Sequence, residues 1–509
     1  MKSVNKKPRK TAVTYKKRGH PENKDGWIHL EVSGTPYEIG FAHGTSLRRH
    51  FSQVLRVLPF NVAQELKIPY ADYLRDCKRL FGPILDDDEW SFIKEELRGI
   101  VAGAAMKGVT YDFLVAWNSY LSMCTYYEKN HNSEGPKDAK HEKDAKHEPK
   151  NHGRCCAFIA TGSATKTGEI VMAHNTHSDF ATGFVLNVIM KVKPSLPGSN
   201  TFVMQTAPGL ICSSSDWFLC DNGIIGCETT ISNLNFTPEF GKGPKGPKDP
   251  LSSKVPYYLR IRKAMQFGKT FDDYVDIMSK NSAGDYACTW YLGDVNTGEI
   301  MMLEDGGDKV GVRRTMDGAF HGCNDAMTEE VAMLQTTRDE KYNPNSTTGA
   351  RNLRMEYLLF DKYAGKLDTT NAKKILSDHY DVSRSKYRMG KMNICKHTEM
   401  EHLDKDELNK KDDEINEKRK DLKETLVSLK GKDHKETVGF LKRRDHKGTI
   451  GSLKGATDGK VVDSAMARKL QFEGRMGSSC GRVFRRSDFG LSADVPILDM
   501  PRHKWTKIV

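Results

Sequence analysis

The stretch Cys155-Cys156-Ala157-Phe158-Ile159-Ala160-Thr161-Gly162-Ser163-Ala164-Thr165-Lys166-Thr167-Gly168-Glu169-Ile170-Val171-Met172-Ala173-His174-Asn175-Thr176-His177 decides the fold. Two short apolar runs, 155–161 and 169–174, are joined through Thr167-Gly168, which reads as a β-hairpin. Immediately upstream, residues 128–153 repeat KDAKHE and hold no large apolar side chain. Such a segment cannot bury enough area to offset its ordering entropy, so an exposed linker is expected there. Downstream, strands are expected at 184–192, 201–206, 217–220 and 224–231, with a further hairpin from Tyr286 to Glu304 turning at Asn296-Thr297-Gly298. Helical periodicity covers 37–56, 87–106, 257–267, 271–280, 348–363 and 370–378. Antiparallel hairpins flanked by helices make an α+β layered protein.

The whole chain is consistent with that picture. Its 509 residues are 38% hydrophobic and 29% charged, enough for a large core. No run reaches the roughly 18 apolar residues of a membrane-spanning helix. Residues 1–20 contain no apolar signal-peptide core, so cytoplasmic residence is expected, or packaging in a particle if the source is a virus. Of the net charge of +12, the lysines and arginines of the first 20 residues supply two thirds. The basic tail over 1–24 reads first as a solvated arm, and nucleic acid or an anionic surface is a candidate partner only through it. A charged insertion at about 401–447 carries a 12-residue repeat, KETLVSLKGKDH at 423–434 followed by KETVGFLKRRDH at 435–446. It reads as a duplicated loop. Residues 25–509 are otherwise expected to form one domain.

Eleven cysteines, none in a Cys-x-x-Cys pair, are expected to be mostly reduced thiols. His397 and His402, near Glu399 and Glu401, lack His-Glu-x-x-His spacing. Ser213-Ser214-Ser215-Asp216 lacks a Gly-x-Ser-x-Gly elbow. No P-loop or dinucleotide fingerprint occurs, and neither a metal nor a cofactor is expected.

The junction Arg154-Cys155-Cys156 ends a polar linker and begins a strong strand. An N-terminal nucleophile needs that layout, because its own α-amino group, with a pKa of about 8, must be freed to act as base. A structural cysteine pair at a strand start fits the same spacing. Strand alternation points Cys155 and Cys156 to opposite faces, so only one can serve.

The hairpin with its His-Asn-Thr resembles the nucleophile region of phospholipase B-like proteins and the related acyl-coenzyme A:isopenicillin N acyltransferase (C45 peptidase) family. Gly34-Thr35-Pro36-Tyr37-Glu38-Ile39-Gly40-Phe41-Ala42-His43-Gly44 is similar to the family's precursor motif, and Glu228-Thr229-Thr230-Ile231 to its ETTI strand. Gly284-Asp285-Tyr286-Ala287-Cys288-Thr289-Trp290, residues 456–481 and Met500–Trp505 extend the likeness. The resemblance implies a four-layer αββα N-terminal nucleophile hydrolase, self-cleaved between Arg154 and Cys155. A precursor part (25–154) then stays associated with a mature chain (155–509).

By the motif Cys155 is the nucleophile, with Cys156 where relatives carry Ser or Thr. His174 and Asn175 close the hairpin as catalytic partners, Asn175 donating to an oxyanion. His177, Thr229, Thr230, Trp290 and Arg351 are candidate substrate or oxyanion contacts. Cys288 departs from the family's Asn, and a thiol is a poor donor; Asn281 or Thr289 are candidate replacements. The implied activity is thiol-dependent cleavage of an amide or ester acyl bond by a hydrolase or acyltransferase. The substrate is an acyl-containing small molecule or lipid, phospholipase B-like deacylation being the named case. The alternative is a degenerate member serving as a binding or structural protein.

Overall fold

The computed structural model describes residues 22–131, 155–214, 216–232, 234, 254–335, 341–402 and 453–508. The basic tail, nearly all of the 128–153 linker, Arg154 and the charged repeat lie outside the described residues.

Two sheets form the centre. The larger has nine strands in the order β1-β2-β5-β6-β7-β8-β9-β10-β11. These are β1 (Glu22–Lys24), β2 (Trp27–Gly34), β5 (Val188–Pro194), β6 (Phe202–Thr206), β7 (Trp217–Cys220), β8 (Ile224–Thr230), β9 (Cys288–Asp294), β10 (Ile300–Asp305) and β11 (Val310–Thr315). The second has seven strands: β12-β3-β4-β16-β17-β18 in order, with β15 paired to β4. They are β3 (Cys155–Gly162), β4 (Gly168–Asp179), β12 (Gly318–Gly322), β15 (Lys454–Ala456), β16 (Asp458–Asp463), β17 (Phe472–Met476) and β18 (Thr506–Ile508). A two-stranded ladder, β13 (Tyr380–Asp381) with β14 (Lys386–Tyr387), stands apart. The pairing is antiparallel except at β2–β5, which is parallel. The sheets are otherwise antiparallel as expected, and the one parallel pair arises where the N-terminal segment adds edge strands from a distant part of the chain.

The alternation of β3 fixes the layers. Ala157 and Ile159, with Ile170 and Met172 of β4, enter the core between the sheets. Cys156, Phe158 and Ala160, with Val171 and Ala173, face the other way into a second core. Leu358, Leu359, Ile375 and Leu376 close that second core. Helices α11 (Thr347–Glu356) and α12 (Thr369–Leu376) therefore cover the outer face of the seven-stranded sheet. The outer side of the nine-stranded sheet is covered by α1 (Pro36–Ser46), α2 (Phe51–Asn61), α3 (Tyr70–Leu85), α4 (Ser91–Ala104), α5 (Tyr111–Asn118), α6 (Tyr120–His131), α8 (Tyr257–Phe267) and α9 (Phe271–Ser279). The short α7 (Phe180–Gly183) and α10 (Glu329–Ala332) complete an αββα stack.

The motif at 34–44 has a packing reason. Thr35 and Glu38 form a capping box that starts α1. A Cβ on Gly40 or Gly44 would lie 1.9 or 2.2 Å from backbone oxygens of α4, and Gly99 and Gly103 of α4 meet α1 in the same way. The two helices touch backbone to backbone, which only glycine permits.

Candidate active site

Cys155 is the first residue of β3 and lies on its inner face. Its ladder partner is Thr176, while Cys156 pairs with Asn175 and Ala157 with His174. Residues opposite each other share a face. Cys155, Thr176 and His174 therefore look into the space between the sheets, and Cys156 and Asn175 look out. The Cys156 sulfur is bonded to Cys323 in a disulfide, whereas Cys155 is a free thiol. Cys156 and Cys323 are the pair that the expectation of reduced thiols missed.

The backbone N–H of Cys155 donates to Asn324 Oδ1 at 3.3 Å. Asn324 is in the left-handed region, φ +78°, and its Nδ2 donates to the Thr230 carbonyl at 2.9 Å. The Arg351 guanidinium donates to the Cys155 carbonyl at 3.0 Å and to Asn324 Oδ1 at 3.1 Å. Sγ lies 3.9 Å from Asp216 Oδ2. Asp216, at φ +64°, accepts from the Tyr257 hydroxyl at 3.2 Å. A His174 ring nitrogen, the Cys155 sulfur and an Asp216 oxygen lie within 4.8 Å of one another. Burial pushes the Cys155 thiol well above its usual range, and the nearby Asp216 and Glu228 charges add to this; the His177 backbone N–H opposes it. That environment favours the neutral thiol. His174 is held neutral, far below its usual pKa, by burial and by Lys460, and its Nε2–H donates to the Glu228 carbonyl at 2.8 Å.

A cleft of about 560 Å³ opens onto Cys155. Thr176, His177, Asp216 and Tyr286 line it beside Trp117, Asn118, Tyr120 and Leu121 of α5 and α6. Segments on either side of the linker thus build one cavity. Trp117 Nε1 donates to Pro208 O at 3.1 Å, Asn118 brackets Gly209 and Ile211, and His43 Nε2 accepts the Gly209 N–H at 2.9 Å. Deeper, Arg262 forms a buried two-point ion pair with Glu96, and Ser122 donates to Asp285.

The other expected site residues are placed as follows. His174 and Asn175 do not close the hairpin; β4 runs on to Asp179, and they lie beside Cys155 at its open end. Asn175 Nδ2 donates to the Leu376 and Ile394 carbonyls, on the face away from Cys155. The His177 ring likewise hydrogen-bonds Ile394 O at 3.1 Å, leaving its backbone amide at the sulfur. Arg351 is fully buried on α11 and grips protein carbonyls instead of offering itself to a substrate; burial lowers its pKa to about 10. Trp290 is a core residue against Phe218 and Tyr257. Cys288 pairs with Thr230 and Asp305 and is absent from the cleft wall. Thr230 hydrogen-bonds the Tyr286 hydroxyl, and Thr229 packs beside Tyr291. Of the candidate replacements for the missing Asn, Thr289 is bonded to Glu304 at 2.9 Å and Asn281 is held in the 281–283 turn against Val255. Asn324 is the amide that reaches Cys155. Neither it nor Asp216 stood in a recognisable motif.

The Phospholipase B family model matches residues 95–306. The matched stretch contains Cys155, His174, Asp216, Glu228 and the residues that line the cleft, and it stops before Asn324 and Arg351. No curated protein sequence matches the chain. A mutant conjugated bile acid hydrolase from Clostridium perfringens is similar in structure, at 9% identity and a TM-score of 0.28, over 63% of this chain and 89% of that one. Among the described residues, no helix is long and apolar enough to cross a membrane.

Proposed function

We propose that the protein is an acyl hydrolase of the N-terminal nucleophile type, activated by its own cleavage between Arg154 and Cys155. The observation that carries this reading is the Cys155 backbone nitrogen, received by Asn324 at the first residue of a strand that opens onto the cleft. In the precursor, the Cys155 thiol attacks the Arg154 carbonyl; the C–N bond breaks and a thioester and a free amine form. Water then hydrolyses the thioester. In the mature enzyme the α-amino group, oriented by Asn324, takes the thiol proton as Sγ attacks the substrate acyl carbon. The same group returns the proton to the departing alcohol or amine, and water releases the acyl chain. Arg351 holds the Cys155 carbonyl so that amine and sulfur keep one geometry.

Lipid deacylation of the phospholipase B kind is the favoured substrate class, because the cleft joins apolar Trp117, Leu121 and Leu186 to a polar floor at Cys155. The Cys156–Cys323 disulfide favours an oxidising compartment over the reducing cytosol. The test is intact mass and N-terminal sequencing of wild type and Cys155→Ala, followed by turnover of lysophospholipids, acyl esters and N-acyl amino acids. Wild type should yield a new terminus at Cys155 and thiol-dependent turnover, and the variant neither. An uncut wild type that stays inert after trimming to Cys155 would point instead to a binding protein.

A further inference from the structure

Away from the cleft, four side chains from three separate loops converge. His379 lies between α12 and β13, Cys395 and His397 follow β14, and Cys480 sits in the turn after β17. One ligand atom of each lies within 4.8 Å of all the others. His397 Nε2 is 3.2 Å from His379 Nε2, 3.5 Å from Cys395 Sγ and 3.4 Å from Cys480 Sγ. Its other nitrogen, Nδ1, meets Glu399 Oε1 at 2.9 Å.

Cys480 is also hydrogen-bonded to Cys395 and His379, so all four groups crowd about one point. With Nδ1–H donated to the carboxylate, a neutral imidazole keeps one lone pair on Nε2, which can satisfy one of the three groups crowding it. A tetrahedral cation satisfies all four. Metal–N of about 2.05 Å and metal–S of about 2.3 Å give tetrahedral edges of about 3.3 Å for N–N and about 3.6 Å for N–S. The three distances above match those edges to within about 0.2 Å. The Glu399–His397 contact is the carboxylate bond that commonly fixes a ligating histidine's tautomer.

We infer that His379, Cys395, His397 and Cys480 form a closed Cys₂His₂ site for a structural zinc ion. Two thiolates and two imidazoles suit zinc over calcium, magnesium or manganese, and four protein ligands leave no position for a substrate. The loops are pinned in place independently: Cys395 N–H donates to Asp378 O, His397 N–H to Gly390 O, and Asn393 Nδ2 to His379 O. The site joins the chain before the charged repeat to the chain after it. It also buttresses the active-site strand. Ile394, next to one ligand, accepts from Asn175 and His177, and Ser479, next to another, donates to Asn175.

The test is metal analysis of the full chain purified from zinc-supplemented medium without chelator, with cobalt substitution as a second readout. Wild type and Cys155→Ala should each carry roughly one zinc per chain, and the cobalt form should show thiolate-to-cobalt charge-transfer absorption. Cys480→Ser, at a half-buried position, should lose most of the metal and the absorption while retaining the folded circular-dichroism signature. If that variant does not fold, wild-type stoichiometry and the cobalt spectrum decide. Wild type without zinc, a Cys395–Cys480 disulfide found by non-reducing peptide mapping, or zinc lost in Cys155→Ala would each overturn the assignment.

Discussion

Asn324 accepts the backbone N–H of Cys155 on Oδ1 and, from its Nδ2, donates to the carbonyl of Thr230. One carboxamide thus links the start of β3 in one sheet to the end of β8 in the other. Its left-handed backbone, φ +78°, aims the side chain across the gap.

Asn324→Gly keeps that backbone conformation accessible and removes only the carboxamide. We expect kcat/KM to fall on the order of 10²-fold, comparable to loss of one preorganised polar group in other active sites. Asn324→Ala should lose the same activity and about 1 kcal/mol more stability, because alanine is strained in the left-handed region. Steady-state kinetics and urea midpoints of the two variants separate the terms. Full activity in the glycine variant would remove Asn324 from the mechanism.

Thiol titration of the denatured, chelator-treated chain should count nine free thiols, leaving the disulfide pair unreacted. The bond spans 167 residues of sequence, so replacing both Cys156 and Cys323 by alanine should cost about 2–5 kcal/mol of stability. Cleavage at Arg154–Cys155 should continue in that double variant. A cleavage block there, with the fold intact, would move the nucleophile to Cys156.

Asn175→Ala separates a structural from a chemical role. The buried amide supports two carbonyls and accepts from Ser479, and leaving such groups unpaired costs about 2–4 kcal/mol. The rate per folded molecule should stay within about tenfold of wild type, whereas loss of an oxyanion donor would lower it by about 10²–10³-fold. Kinetics at a temperature where the variant is fully folded would distinguish them.

Acid should destabilise the fold through three buried histidines. Burial lowers His43 to about 3 and holds His174 and His177 well below 6.5. Each stays neutral when folded but takes up a proton near pH 6.5 when unfolded. Their stabilising contribution is therefore complete above pH 6.5 and is lost as pH falls from there toward the folded pKa. Each contributes a slope of about 1.4 kcal/mol per pH unit in that window. Urea denaturation at pH 7.0, 6.0 and 5.0 should show the fall. His43→Gln, which can still accept the Gly209 N–H, should flatten it by one histidine's share; an unchanged slope would refute the assignment for His43.

The sequence alone determined what is local. Alternation and turn chemistry located β7 at its ends and α8 at its exact span, because periodicity and Asn-Gly or Thr-Gly turns act over a few residues. The helix expected at 37–56 is instead α1 and α2 separated by a 3₁₀ turn at Arg48–His50. The hairpin at 155–177 and the opposite facing of Cys155 and Cys156 were equally legible, since strand period fixes faces; which of the two is free was not. Tertiary structure alone decided the partners. Asn324 lies 169 residues beyond Cys155, Asp216 lies 61 beyond it, and the four converging His and Cys ligands span 379 to 480. Such groups share no window in which spacing could signal them. They meet only because two sheets stack and loops close over their ends, burying the apolar faces that the same sequence alternates with its polar ones.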